Sequence, residues 1–149
     1  KLNVIPNWKT KQMIFSYFYK GMKYSKFKKA GVRFSNKIEG FIRKDILQEL
    51  QTHQKNGTKI YVISASIEDW ILPFCKKHNI DNIIATGAET DEKGLLTGKF
   101  KTMNCYGKEK LRRFQAHEPF RENYYLYVYG DSDGDNELFQ YSDEAINVK

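Results

Sequence analysis

The apolar positions of this chain change rhythm part-way along. Over residues 7 to 44, Trp8, Met13, Phe15, Phe18 and Met22 stand among lysines at helical spacing, with Gly21, Gly31 and Gly40 as breaks. This predicts a small helical subdomain. A further helix is expected over residues 43–55, where Ile46, Leu47 and Leu50 share a face and Asn56-Gly57 supplies a stop signal. After residue 58 the period switches. Residues 59–63 form a β-branched and aromatic run, as expected of a buried strand, and lead into Ser64-Ala65-Ser66 and a helix over 67–78. Ile83-Ile84-Ala85 predicts a short strand, and 86–100 a hairpin turning near 91–94. A helix over 108–116, a long strand over 124–129, a helix over 136–141 and a last strand over 145–148 complete the pattern. Alternating strands and helices through the back two thirds indicate an α/β fold, an open, mainly parallel sheet with helices on both faces.

Charge divides the chain in the same place. Residues 1 to 44 hold twelve Lys and Arg against the single acid Glu39, and the remainder holds thirteen against seventeen. The net charge of +7 therefore belongs to the front helices. Such a face can attract nucleic acid, an anionic membrane or a phosphorylated substrate, or simply be solvated. Aromatics interleaved with the lysines (Phe15, Tyr17, Phe18, Tyr19, Tyr24, Phe27) could stack bases, but no RNA-binding signature accompanies them, so nucleic acid is the lesser reading. At 149 residues and 40% hydrophobic content the chain suits one domain with its own core. No apolar run approaches a membrane span, and Cys75 and Cys105 form neither a disulfide framework nor a Cys-x-x-Cys pair. A soluble, cytoplasmic protein with packing cysteines is expected.

The chemistry gathers at three stations, each past a strand end or at a helix start: Ser64-Ala65-Ser66, Lys108/Lys110, and Gly130-Asp131-Ser132-Asp133-Gly134-Asp135-Asn136. Three carboxylates within five residues repel one another unless a hard cation neutralises them, and Mg²⁺ takes carboxylate oxygens. Serine hydroxyls and the free N–H groups of a helix start hold phosphate oxygens, and a lysine ammonium offsets phosphate charge. Together they describe a phosphoryl-transfer site. The rival for the acidic turn is a calcium loop, which requires Gly at its sixth position and Glu at its twelfth; Asn136 and Ser142 stand there instead. Ser66-Ile67-Glu68-Asp69 also reads as a helix N-cap, which would make Ser66 a capping residue. Lys110 taken alone would be an ordinary exposed helix lysine. His53, His78 and His117 are scattered without ligand spacing.

The ordered set Ile-Ser-Ala-Ser, then Asn104-Cys105-Tyr106-Gly107-Lys108-Glu109-Lys110-Leu111, then the acidic turn resembles the haloacid dehalogenase (HAD) superfamily of phosphohydrolases, and within it the phosphoserine-phosphatase-like branch. The resemblance covers about residues 58 to 148, and the front helices are similar to that branch's cap. It implies a HAD-like Rossmannoid sheet over residues 45–149 and a helical cap over 1–44. It makes Ser64 the phosphate-binding hydroxyl, with Ala65 and Ser66 beside it. Lys110 becomes the lysine that steadies phosphate and nucleophile, preferred to Lys108 because Phe114 follows it four residues later. Asp131 and Asp135 become the ligands of Mg²⁺, and Asp133 falls at a variable position.

One family element is missing: the apolar strand ending in Asp-x-Asp, whose first Asp attacks phosphorus. Asp45, Asp69, Asp81, Asp91 and Asp143 do not occupy such a setting, and the opening residues Lys1 to Trp8 resemble cap interior. The resemblance places that strand between those ending at Ser64 and at Asp131. The expectation is therefore a Mg²⁺-dependent phosphomonoesterase working through an aspartyl-phosphate, of which this chain is an inactive fragment. Its sheet would be completed by the missing strand or by another chain. A small phosphorylated substrate is expected, with a lipid phosphate suggested by the aromatic and basic cap. A non-catalytic HAD-derived module that binds metal and phosphate is the alternative.

Overall fold

A computed structural model describes residues 6–149; the reading of Lys1 to Ile5 as cap interior lies outside the described residues. Helix α1 (Asn7–Tyr19) ends at Gly21, whose φ of 80° lets the chain turn while its N–H donates to Leu96 O at 2.8 Å. Helix α2 (Tyr24–Ile38), a 3-10 turn (Glu39–Phe41) and α3 (Lys44–Lys55) follow. Gly31 is no break. It lies inside α2, where a Cβ would sit 2.2 Å from Asp69 O, so it is a close-packing glycine.

The chain then alternates: β1 (Tyr61–Ile67), α4 (Glu68–Lys77), β2 (Asn82–Thr86), the hairpin β3 (Ala88–Thr90) and β4 (Leu96–Phe100), α5 (Lys108–His117), β5 (Tyr127–Gly130), α6 (Asn136–Tyr141) and β6 (Glu144–Asn147). Strand β1 pairs β2 in parallel from Tyr61↔Asn82, and β5 pairs β6 in parallel from Tyr127↔Glu144. The fold is the expected α/β one. The expected long strand over 124–129 is shorter at its start. Arg121 donates to Tyr124 O and Asp143 Oδ2 accepts from Leu126 N–H, which takes Tyr124–Leu126 out of a ladder.

Two apolar clusters hold the molecule. Ile84, Cys105, Phe114, Val128 and Leu138 join α5 and α6 to strands β2 and β5. Phe15, Phe27, Ile67 and Leu96 join the front helices to the end of β1 and to the hairpin. The front aromatics Phe15 and Phe27 are thus core residues rather than a stacking surface, whereas Tyr17 and Phe18 are exposed. Both cysteines are buried and unpaired, as packing residues should be. Among the described residues no helix is long and apolar enough to cross a membrane.

Candidate phosphoryl-transfer site

The end of β1 presents the serine station. Ser64, Ala65 and Ser66 belong to the strand itself, whose register slips between Ile63 and Ile67. This slip turns the backbone out of the ladder, and Ser64 Oγ accepts the Ser66 N–H at 3.1 Å. Ser66 does not cap α4. The N-cap position falls on Ile67, and no side chain bonds the helix start there. Behind the loop, Ala65 O accepts from Thr86 Oγ1 at 2.9 Å and from Lys11 Nζ. Lys11 reaches in from α1 and also donates to Asn104 Oδ1 at 3.0 Å. Burial pushes its ammonium pKa down.

Strand β5 delivers the acidic turn. Gly130 is required here because a Cβ would lie 2.8 Å from the Asp135 side chain. Asp131 is exposed and makes no hydrogen bond or ion pair to a described residue, leaving its carboxylate free for a ligand. Asp135 is buried. Its Oδ2 accepts from Ser132 N–H at 3.2 Å and Ser132 Oγ at 2.7 Å, a reciprocal capping box around the 3-10 turn Asp133–Asp135. Its Oδ1 accepts from Lys110 Nζ at 2.5 Å.

Helix α5 supplies that lysine. Gly107, at φ 57°, precedes the helix and its N–H donates to Gly134 O at 3.1 Å, tying the helix start to the acidic turn. Lys110 faces inward and is buried, whereas Lys108 is exposed. Of the two, Lys110 lines the cavity described below. Burial raises the Asp135 pKa, but hydrogen bonds from Lys110 and Ser132 outweigh it and hold the carboxyl below its ordinary range.

All six residues singled out from the sequence meet at one cavity of about 330 Å³: Ser64, Ala65, Ser66, Lys110, Asp131 and Asp135 line it together. Ile63, Tyr106, Tyr129, Gly130 and Ser132 complete the wall. Sequence reasoning missed Tyr106 and Ser132. The pattern Ser132-x-x-Asp135 carried the capping-box signal for the second; nothing local marked the first. The Tyr106 ring lies so close over Gly134 that a Cβ there would meet it at 2.4 Å.

A metal ion would find two carboxylates here. Among the described residues no group of three or more His, Cys, Asp or Glu side chains gathers as a metal cage. Mg²⁺ does not need one, because it keeps several waters and takes one or two carboxylates plus substrate phosphate. The unengaged Asp131, with Asp135 beside it, fits that donor set.

The model of the haloacid dehalogenase-like hydrolase family matches residues 7–140. The chain belongs to that family. Among curated proteins it is 29% identical over 104 residues to Protein CicA of Caulobacter vibrioides, covering 69% of this chain and 46% of that one. It is 31% identical to a histidinol-phosphatase of Neisseria meningitidis, covering 66% and 47%. The chain therefore spans about half the length of the curated relatives it matches. A Bordetella pertussis protein of unknown function shares its fold at a TM-score of 0.77 and 15% identity, with 96% of this chain and 66% of that one covered. A phosphoserine phosphohydrolase-like protein of Francisella tularensis does so at 0.64 and 21%, covering 80% and 57%. At these identities the solved structures speak for the fold, which is that of HAD proteins.

Proposed function

We propose that this site hydrolyses phosphomonoesters with Mg²⁺. The observation that carries the reading is the single cavity in which a serine loop, one buried lysine and two carboxylates converge. In it Ser64 Oγ and the loop N–H groups bind phosphate oxygens, and Lys110 offsets their charge while holding Asp135 in place. Asp131 and Asp135 are the carboxylates that would hold Mg²⁺, which supplies charge neutralisation at the transferring group. Family membership and the histidinol-phosphatase relative support the reaction class.

The nucleophile is assigned to an Asp outside these 149 residues, giving an aspartyl-phosphate that water then resolves. Both carboxylates on the cavity wall come from the turn after β5, and one of them is locked in the Lys110 pair. Residues 1 to 44 act as the cap. Their basic, aromatic character suits a small anionic substrate with an apolar part, of which a lipid phosphate is one instance.

Calorimetric titration of the chain with inorganic phosphate and MgCl₂ tests the site. Phosphate should bind more tightly with Mg²⁺ than without, Ser64→Ala should weaken phosphate at least tenfold, and Asp131→Asn should remove the Mg²⁺ dependence. Phosphate affinity indifferent to Mg²⁺ and to both substitutions would contradict the assignment.

A further inference from the structure

Lys11 stands one helical turn before Phe15 on α1, so it shares the inward face of that helix with a core aromatic. Its ammonium lies over the Phe100 ring, 5.6 Å from the centroid. It donates to two oxygens, Ala65 O and, at 3.0 Å, Asn104 Oδ1. Both acceptors are neutral. Lys110 on the cavity wall is the opposite case, because Asp135 takes up its charge at 2.5 Å. Lys11 therefore brings to the serine loop a half-buried positive charge that no carboxylate bonded to it offsets. Such a charge is better placed with an anion nearby than without one.

The bond to Ala65 O fixes more than one atom. A peptide is planar and trans, so the Ala65 carbonyl and the Ser66 N–H, which belong to the same peptide, point in opposite directions. A carbonyl oxygen has two lone pairs, and those of Ala65 O are filled by Lys11 Nζ and by Thr86 Oγ1 at 2.9 Å. Thr86 is fully buried, and its Oγ1 accepts from the Cys105 N–H at 3.1 Å, which holds it in place. The carbonyl is thus pinned on the side of α1 and β2. The Ser66 N–H is turned the other way, to Ser64 Oγ at 3.1 Å. Ser64 Oγ accepts that bond and keeps its own proton to donate. Ser64, Ala65 and Ser66 all line the phosphate cavity. The donors consequently run in one direction, from the Lys11 ammonium through the Ala65–Ser66 peptide to the Ser64 hydroxyl. Bonds in such a chain strengthen one another by about 10–30% each, so a cation at its head makes the terminal hydroxyl a better donor to an anion. Flipping the peptide would break the bonds to Lys11, Thr86 and Ser64 together.

We propose that Lys11 is a positioning residue for the serine loop: it holds the Ala65–Ser66 peptide in one orientation and so directs the Ser64 hydroxyl toward a bound phosphate, without touching the phosphate itself. The phosphate end of this chain rests on the phosphatase reading; the lock on the peptide does not. The lock also joins the front helices to the site. On the next residue of α1, Gln12 Oε1 accepts from the Phe100 N–H at 3.0 Å, so α1 grips the hairpin and the serine loop at once.

Three variants of the 149-residue chain test the proposal: Lys11→Met, Lys11→Arg and Lys9→Met, the last removing the same charge from an exposed position of the same helix. The Ala65 carbonyl ¹³C resonance reads the hydrogen bonds that oxygen accepts. It should move upfield in Lys11→Met and stay in place in Lys9→Met. Calorimetric titration with inorganic phosphate in MgCl₂ should show binding weakened about tenfold or more in Lys11→Met, the loss expected for a hydrogen bond from a charged group. Lys11→Arg should restore phosphate affinity to within about threefold and Lys9→Met should leave it within about twofold, and Mg²⁺ affinity without phosphate should not fall in any of them. An unmoved Ala65 resonance in Lys11→Met, an Arg variant no better than the Met one, or equal loss of phosphate in Lys11→Met and Lys9→Met would overturn the proposal. A parallel loss of Mg²⁺ and phosphate in Lys11→Met would overturn it too, as the mark of a tether that only holds the fold. A shifted Ala65 resonance in a chain that binds no phosphate before substitution would contradict the phosphatase reading and leave only the peptide lock.

Discussion

Lys110 Nζ lies 2.5 Å from Asp135 Oδ1, and both side chains are only 9% exposed. A buried pair of this kind gains little over apolar groups of the same shape, yet breaking it leaves a lone charge without water. Lys110 therefore holds the shape of the acidic turn, and under the proposed function it offsets phosphate charge as well. Lys110→Met is expected to lower unfolding free energy by about 3–5 kcal/mol, and equilibrium urea denaturation checks this. A loss below about 1 kcal/mol, the range of exposed pairs, would show that the pair does not hold the turn.

Acid should loosen the same corner. Glu109 is buried beside Asp135's lysine, and hydrogen bonds from Arg112, against the opposing cost of burial, bring its pKa from 4.5 to about 2, with Arg113 helping. Asp135 is also held below its ordinary range. A carboxyl depressed in the folded state binds fewer protons there than in the unfolded chain, so its contribution is whole above pH about 4.5 and fades as pH falls toward 2. Urea midpoints measured from pH 6 to pH 2 should drop over that window. Glu109→Gln should flatten part of the drop; an unchanged slope would contradict the assignment.

Ser66 offers a sharper contrast between two readings of one residue. If it capped α4, Ser66→Ala would cost about 1 kcal/mol. The helix start has no side-chain cap and Ser66 is exposed, so the cost should stay within about 0.5 kcal/mol. Thermal denaturation of the variant decides between them.

Gly31→Ala should also run against propensity. In a free helix the change stabilises by about 1 kcal/mol. Here the new Cβ meets Asp69 backbone oxygen at 2.2 Å, forcing α2 away from α4, and overpacking of this kind costs about 1–3 kcal/mol. A net loss on thermal or urea denaturation is expected. A gain would mean that the two helices are not in contact in solution.

What was legible in the sequence was local in character. The switch from helical spacing to β-branched runs gave the α/β order, and the three stations could be found because each is a short run beside a strand or helix end. Positions that depend on distant partners were not visible. Gly31 reads as a break until Asp69 is seen against it, and Tyr124–Leu126 read as strand until Arg121 and Asp143 are seen holding their backbone. Lys11, 54 residues from Ala65, whose carbonyl accepts from it, carries no signal at all among eleven other front-end cations. In the sequence only one downstream phenylalanine distinguishes Lys110 from Lys108; the burial of the first and the exposure of the second depend on packing against the acidic turn.

The most direct measurement is turnover of p-nitrophenyl phosphate in MgCl₂ by the 149-residue chain and by its Asp131→Asn variant. No turnover is expected from either. Turnover by the chain alone that Asp131→Asn abolishes would contradict the claim that the nucleophile lies outside these residues.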